Sequence, residues 1–153
     1  MEQFIEFAGN HPGWFLALSV VLGLLAWSFL GNMVTGVKPL LPQEATLLIN
    51  HENAVVLDVR EDNEYAQGHI LNSVHIPLST LSDRMERLEK YRNRPLIASC
   101  MSGNRSGRAC SMLKKNGFEK VHNLKGGIIA WQNASLPLTK GKNKIKIKTD
   151  SIN

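Results

Sequence analysis

Charged residues are missing from one long stretch of this sequence. No Asp, Glu, Lys or Arg occurs between residues 7 and 37, and the only charged side chains before that stretch are Glu2 and Glu6. A secretory signal peptide begins with basic residues, which this chain does not have ahead of its apolar run. The sequence therefore disfavours a cleaved signal peptide and favours a segment that stays attached to the chain.

The uncharged stretch predicts one transmembrane helix over residues 13–34. A helix of that length rises about 1.5 Å per residue and would span roughly 30 Å, the thickness of a bilayer core. Lys38 follows closely, and positive charge favours the cytoplasmic side. We therefore expect a single-pass protein of a bacterial inner (plasma) membrane, with residues 1–12 as a short N-terminal segment and the catalytic domain in the cytoplasm.

Positive charge is concentrated at the other end of the chain. Five lysines lie within residues 140–148, against one later acid, Asp150, and they account for most of the formal net charge of +5. The basic balance is thus a property of the tail and does not indicate a nucleic-acid-binding face on the domain. Two interpretations of the tail, residues 139–153, stay open: a solvated end, and contact with anionic lipid.

Short apolar runs alternate with helical patterns over residues 40–138, the length of one small domain. A continuous run with β-branched residues, 54–59, is typical of a buried parallel strand. Further strands are predicted at 73–77, 96–99 and 120–124, and helices at 79–91, at 105–116 and from 128 to 131. The alternation predicts an α/β fold in which helices cover both faces of a parallel sheet.

Cysteine is nearly absent, with 2 residues in 153, and one of them lies where a predicted strand meets a predicted helix. The first amides of a helix have no internal partner, and they favour negative charge in front of them. Those amides, the helix dipole and Arg105 together favour the thiolate of Cys100. Gly103 allows the intervening loop to curl without a Cβ in the way. We predict that Cys100 is a nucleophile inside a ring of N–H donors.

The second cysteine, Cys110, falls inside the predicted helix among apolar residues, and we interpret it as a packing residue. A disulfide between Cys100 and Cys110 is the alternative. Such a bond would tie the loop to the helix and remove the nucleophile.

Three segments of the chain resemble the rhodanese-like family. The first is Leu57-Asp58-Val59-Arg60-Glu61 with Glu64-Tyr65-Ala66-Gln67-Gly68-His69-Ile70 and Ser73-Val74-His75-Ile76-Pro77, the second is Cys100-Met101-Ser102-Gly103-Asn104-Arg105-Ser106, and the third is Gly126-Gly127-Ile128-Ile129-Ala130-Trp131. The resemblance implies a sulfurtransferase whose cysteine takes a sulfane sulfur from a small donor, holds it as a persulfide and passes it to a thiol acceptor. No cofactor or metal ion is predicted.

Roles for the remaining site residues follow from this resemblance and from their chemistry. The loop is predicted to bind substrate through Met101, Ser102, Gly103, Asn104, Arg105 and Ser106. Asp58 and Arg60 either face the pocket mouth as further substrate-binding residues or form a structural ion pair. Glu64, His69 and Trp131 are interpreted as structural.

Two other functions are alternatives to sulfur transfer. A rhodanese-fold module that docks a protein partner at the membrane, with little turnover, is the main alternative. A phosphatase or arsenate reductase is disfavoured, because the related phosphatases use Cys-x5-Arg and this loop has Cys-x4-Arg. The loop also lacks a second basic residue, so we expect thiosulfate, a dianion, to be a weak donor.

Overall fold

The fold is described by a computed structural model of residues 12–33 and 37–141. The chain divides into two units, Met1–Gly36 and Val37–Asn153. The domain boundaries predicted from the sequence, 40–138 for the catalytic domain and 139–153 for the tail, stay predictions. Most of the tail lies outside the described residues, as does nearly all of the predicted N-terminal segment 1–12.

Residues 12–33, the described part of the first unit, form the helix α1 (Pro12–Met33), at the position of the predicted membrane span. Among the described residues, no helix is both long and apolar enough to cross a membrane. The predicted transmembrane helix at 13–34 is therefore wrong.

The localisation prediction rested on that span and is wrong with it. The uncharged, largely apolar stretch, its length and Lys38 were the grounds for predicting a single-pass inner-membrane protein with a cytoplasmic domain. Crossing a bilayer also requires enough continuous apolar helix, and the part of the chain that the structure describes does not contain it.

The second unit is built on a five-stranded sheet. Its strands are β1 (Lys38–Leu40), β2 (Val55–Asp58), β3 (Val74–His75), β4 (Leu96–Ser99) and β5 (Val121–Leu124), in the order β1-β5-β4-β2-β3. All four strand pairings are parallel, which confirms the predicted parallel sheet. Every residue of β2 and of β4 is buried, as the apolar runs predict for central strands.

Four helices accompany the sheet: α2 (Pro42–His51), α3 (Asp62–Gln67), α4 (Asn104–Lys115) and α5 (Gly127–Asn133). Buried side chains of α4, such as Leu113, pack with Leu57 and Ala98 in one core cluster. Ala45 of α2 and Trp131 of α5 belong to a second cluster. Because alternate residues of a strand point to opposite faces, the two clusters lie on opposite faces of the sheet, as predicted.

Two local features differ from the sequence-based expectation. The helix predicted at 79–91 is instead two 3₁₀ segments, Leu78–Thr80 and Met85–Tyr91, joined by turns. Its apolar residues still face the core, with Leu81 and Leu88 fully buried. Strand β1 was not predicted, since three residues that include Pro39 give no period that a sequence pattern could show.

Candidate functional site

Cys100 lies at the carboxyl end of β4, where the chain turns into α4. The side chain is almost completely buried, at 1% exposed. The amide of Gly103 donates a hydrogen bond to Sγ at 3.1 Å. The hydroxyl of Ser106, in the first turn of α4, lies 3.4 Å from the same sulfur. The loop therefore encloses the sulfur with donors, as the sequence predicts.

The loop turns at Gly103, which has a φ of +101°. A Cβ there would also lie 3.3 Å from the amide nitrogen of Gly126. Only glycine takes this backbone conformation at low cost. The conformation of Gly103 directs the amide of the loop toward the sulfur.

These contacts favour the thiolate. Burial raises the pKa of Cys100, but hydrogen bonds from the Ser106 hydroxyl and from the amides of Ser106, Gly103 and Ser102 outweigh it, so the pKa is lowered overall. Cys110 behaves in the opposite way, since burial raises its pKa to about 12. Both cysteines are free, so the alternative of a Cys100–Cys110 disulfide is not realised in this structure.

Arg105 braces the loop from outside. Its two terminal nitrogens donate to the two carboxylate oxygens of Glu64 at 2.6 and 2.7 Å. This fork holds the pKa of Glu64 down at about 2 and raises that of Arg105. The pair links α3 to α4, which gives Glu64 the structural role that was predicted.

Asp58 and Arg60 form a buried ion pair, and Asp58 lies on β2 beside Ser99 of β4. They are 0% and 2% exposed, and Arg60 Nη2 lies 2.7 Å from Asp58 Oδ2. Arg60 also donates to the backbone carbonyls of Glu64 and Gly68. This arrangement corresponds to the structural alternative weighed in the sequence analysis, and a contact with substrate stays a prediction.

The remaining loop residues are more open. Met101 is half-buried and packs against the core, whereas Ser102 and Asn104 are exposed. Ser102 and Asn104 therefore lie at the surface of the loop. Their predicted contact with substrate stays a prediction, like that of the other loop residues.

The start of α5 holds the loop from behind. The amide of Ile128 donates to the carbonyl of Cys100 at 2.8 Å, and that of Ile129 to Met101 at 3.2 Å. A Cβ on Gly127 would lie 2.1 Å from the Cys100 carbonyl oxygen. The close approach explains the Gly126-Gly127 pair of the motif. Since the loop carbonyls face α5, the loop amides are free to face the sulfur.

Asn123 is part of the site but was not singled out from the sequence. It lies on β5, and its Oδ1 accepts a hydrogen bond from the Ser106 hydroxyl at 2.6 Å. Its Nδ2 donates to the carbonyl of Gly103 at 3.1 Å. Only the pairing of β5 with β4 brings Asn123 to the loop, so no local sequence signal could have identified it.

Two other interpretations from the sequence are supported by contacts. His69 is fully buried, and its ring stacks on Tyr65 with the centroids 3.8 Å apart. Trp131 is 5% exposed and donates from Nε1 to the carbonyl of Pro137. Both residues therefore have a structural place, consistent with a thiolate that needs no general base.

Comparison with known proteins agrees with this architecture. The family model described as "Rhodanese-like domain" matches residues 41–134. YibN, an uncharacterised protein of Escherichia coli strain K12, is 33% identical over 144 residues, which are 93% of this chain and all of YibN. A sulfurtransferase of Allochromatium vinosum is 37% identical over 60% of this chain and 83% of its own length.

A solved structure shows the same fold. The crystal structure of a rhodanese-related protein from Thermoplasma volcanium superposes with a TM-score of 0.61 at 32% identity. The match covers 68% of this chain and 99% of that protein. The similarity therefore spans the whole of the other domain.

Proposed function

The chain belongs to the rhodanese-like domain family, and we propose that it is a sulfurtransferase that carries sulfane sulfur as a persulfide on Cys100. The observation that carries the proposal is the sulfur of Cys100, buried at the end of β4 and hydrogen-bonded by the Gly103 amide at 3.1 Å. A thiolate is the nucleophilic form of cysteine, and a persulfide is likewise an anion at neutral pH. The same donors stabilise both species.

In the first half-reaction, the Cys100 thiolate attacks the outer, sulfane sulfur of the donor. A bond forms between Sγ and that sulfur, and the bond joining the sulfane sulfur to the rest of the donor breaks. The electron pair of the broken bond leaves with the donor remnant, as a thiolate from a persulfide or as sulfite from thiosulfate. Cys100 is left as a persulfide whose terminal sulfur carries the negative charge.

The second half-reaction reverses the roles. The thiolate of an acceptor attacks the terminal sulfur, and the bond to Cys100 Sγ breaks. Cys100 leaves as a thiolate, stabilised again by the loop, and the acceptor departs as a persulfide. The enzyme returns to its starting form without an external oxidant or reductant, which is a ping-pong cycle.

The charge around the loop bears on the choice of donor. Two arginines of the predicted site are already paired, Arg105 with Glu64 and Arg60 with Asp58. Neither guanidinium is left unpaired to attract a dianion. We infer that the preferred donor has a low charge, such as an alkyl persulfide, and that thiosulfate is used with a high KM.

Intact-protein mass spectrometry tests the proposal. Incubation with a persulfide donor should add the mass of one sulfur, and a thiol acceptor should then remove it. Cys100→Ser should abolish the adduct, while Cys110→Ser, the matched control, should keep it. An adduct that maps to Cys110, or a folded protein that takes no sulfur from any sulfane donor, would contradict the proposal.

The same measurements separate sulfur transfer from its rivals. A domain that only docks a partner would form no persulfide, even with Cys100 intact. A phosphatase would turn over an aryl phosphate at a rate similar to that of sulfur transfer. We expect aryl phosphate turnover to be marginal, because the Cys-x4-Arg loop encloses a single sulfur more closely than a phosphate group.

A further inference from the structure

One side chain at this site belongs to neither the loop nor the helix that carries the reactive cysteine. Asn123 reaches the loop from β5 and contacts two of its members. Its Oδ1 lies 2.6 Å from the hydroxyl oxygen of Ser106, and its Nδ2 lies 3.1 Å from the carbonyl oxygen of Gly103. Ser106 and Gly103 are the same residues that donate hydrogen bonds to Cys100 Sγ.

The orientation of the Asn123 amide is determined by its partners. The Gly103 carbonyl can only accept, so the Asn123 atom that faces it must be the NH₂ group. The oxygen then faces Ser106, whose hydroxyl supplies a proton. A flipped amide would place two oxygens against each other at Gly103. The network therefore permits one arrangement.

The hydroxyl of Ser106 carries a single hydrogen and has two acceptors within reach. The nearer is Asn123 Oδ1 at 2.6 Å, and the second is Cys100 Sγ at 3.4 Å. A neutral thiol is a weak acceptor, whereas a thiolate or a persulfide is a strong one. Asn123 thus keeps the hydroxyl in position beside the sulfur, from where it can turn to the anion.

The Gly103 carbonyl is held from two sides. It accepts from the amide of Gly107, as part of the first turn of α4, and from Asn123 Nδ2. Holding this carbonyl fixes the orientation of the peptide group between Gly103 and Asn104. Because Gly103 is in the left-handed region, the peptide group on its other side is then oriented so that the Gly103 N–H points at the sulfur. Asn123 therefore contacts two of the residues that donate to the sulfur, Ser106 and Gly103, through a single side chain.

We propose that Asn123 is a positioning residue, which sets the ionisation of Cys100 by holding the Ser106 hydroxyl and the Gly103 backbone in place. The functional meaning of this role rests on the proposed sulfurtransferase activity. The predicted quantity is the ionisation of the Cys100 thiol. It can therefore be tested by alkylation, whether or not sulfur is transferred.

Arg105 and Cys110 are titratable groups that interact electrostatically with Cys100. Arg105, on the same loop, is engaged by Glu64, so its charge stays in place in variants of Asn123. Cys110, on α4, is buried, and its raised pKa keeps it neutral across the working range. Neither group contacts Asn123 in the hydrogen-bond network described above.

The experiment is the pH dependence of Cys100 alkylation by iodoacetamide, with the modified residue identified by mass spectrometry. Asn123→Ala and Ser106→Ala should each raise the midpoint by about one pH unit, a roughly tenfold loss of thiolate below the midpoint. Combined, they should raise it by less than the sum of the two shifts, since they act on one hydroxyl. Asn116→Ala, at the far end of α4, is the matched control and should leave the midpoint unchanged.

A side chain that served only stability would lower the unfolding temperature without moving this midpoint. A folded Asn123→Ala protein with the wild-type midpoint, or fully additive shifts, would overturn the proposal. If Asn123→Ala does not fold, NMR of the full chain decides. The Asn123 side-chain amide signals should then move with the Cys100 midpoint in the wild type, and this movement should largely disappear in Ser106→Ala. Equal movement in both proteins would equally overturn it.

Discussion

Single residues near Cys100 divide into those that face the sulfur and those that hold the loop. The donors to the sulfur are backbone amides and one hydroxyl, while both nearby arginines are turned toward carboxylates. A guanidinium has a strong preference for a paired carboxylate that it can contact through two nitrogens. The arginines therefore stabilise the structure around the site through ion pairs, and the amide and hydroxyl dipoles of the loop stabilise the thiolate.

The Glu64–Arg105 pair gives a stability prediction with a defined pH dependence. The pKa of Glu64 is lowered from 4.5 to about 2, so its ionised form stabilises the folded protein. That contribution is complete above about pH 5 and is lost as the pH falls toward 2. Glu64→Gln should lower the free energy of unfolding by about 1–2 kcal/mol at pH 7, because it removes the ionised partner of Arg105. The loss is limited to this size because the pair is partly exposed to solvent.

Urea denaturation of both proteins from pH 7 down to pH 2.5 measures this difference. The two curves should converge at the acid end. Glu89→Gln removes an exposed carboxylate paired with Arg92 and is the control, with a smaller change expected. A constant gap between wild type and Glu64→Gln at all pH values would show that the charge of Glu64 is not the cause.

At the scale of single residues, the sequence predicted the site residues that lie close together along the chain. Cys100, Gly103 and Ser106 lie within one short loop, and their chemistry follows from a strand that ends and a helix that begins. Asn123 was missed because its role depends on strand pairing. The pairing of Arg105 with Glu64 was not predicted, since the sequence does not reveal which carboxylate comes within its reach.

Among the elements, the start of α5 makes a very close backbone contact with the Cys100 loop. The Cβ of an alanine at position 127 would lie 2.1 Å from the Cys100 carbonyl oxygen, and Gly127 has a φ of +57°. Gly127→Ala should therefore destabilise the domain by at least about 3 kcal/mol and raise the alkylation midpoint of any protein that still folds.

Gly107→Ala provides the comparison within the same site. Gly107 is in α4, and a Cβ there would meet its nearest atom at 3.6 Å, an ordinary contact. Alanine is the better helix former, so we expect a change of less than about 1 kcal/mol, toward greater stability. Thermal denaturation of the two variants checks both expectations, and equal losses would mean that close approach at Gly127 is not the cause.

The element boundaries show which patterns are informative. Strand β4 and helix α4 were predicted to within one residue, because continuous apolar runs and helical spacing are strong signals. The segment 79–91 has helical spacing too, but it forms 3₁₀ segments and turns. Its apolar residues reach the core in either conformation, so the pattern alone could not distinguish them.

For the molecule as a whole, both core clusters consist of residues from Val37 onward. A fragment of residues 37–153 should therefore unfold cooperatively, with the same urea midpoint and the same Cys100 reactivity as the full chain. A fragment that begins at residue 41 loses β1 and uncovers β5, so its midpoint should be lower. Loss of cooperative unfolding in the longer fragment would show that the first unit is required for folding.

The prediction for residues 13–34 failed at this scale. Composition established that the stretch lacks charge, but whether a helix can cross a bilayer depends on its length and hydropathy together. The predictions for the fold of the second unit succeeded because strands and helices alternate in a regular way, which restricts the topology to very few arrangements.

The order of the strands has a consequence for the synthesis of the chain. β1 is among the first parts of the second unit to leave the ribosome, yet its partner, β5, follows roughly eighty residues later. The loop around Cys100 also emerges before Asn123 and α5, which support it from behind. The nascent chain must therefore carry an unsupported cysteine loop until its last strand and helix are made, and during that interval chaperones would have their main opportunity to bind.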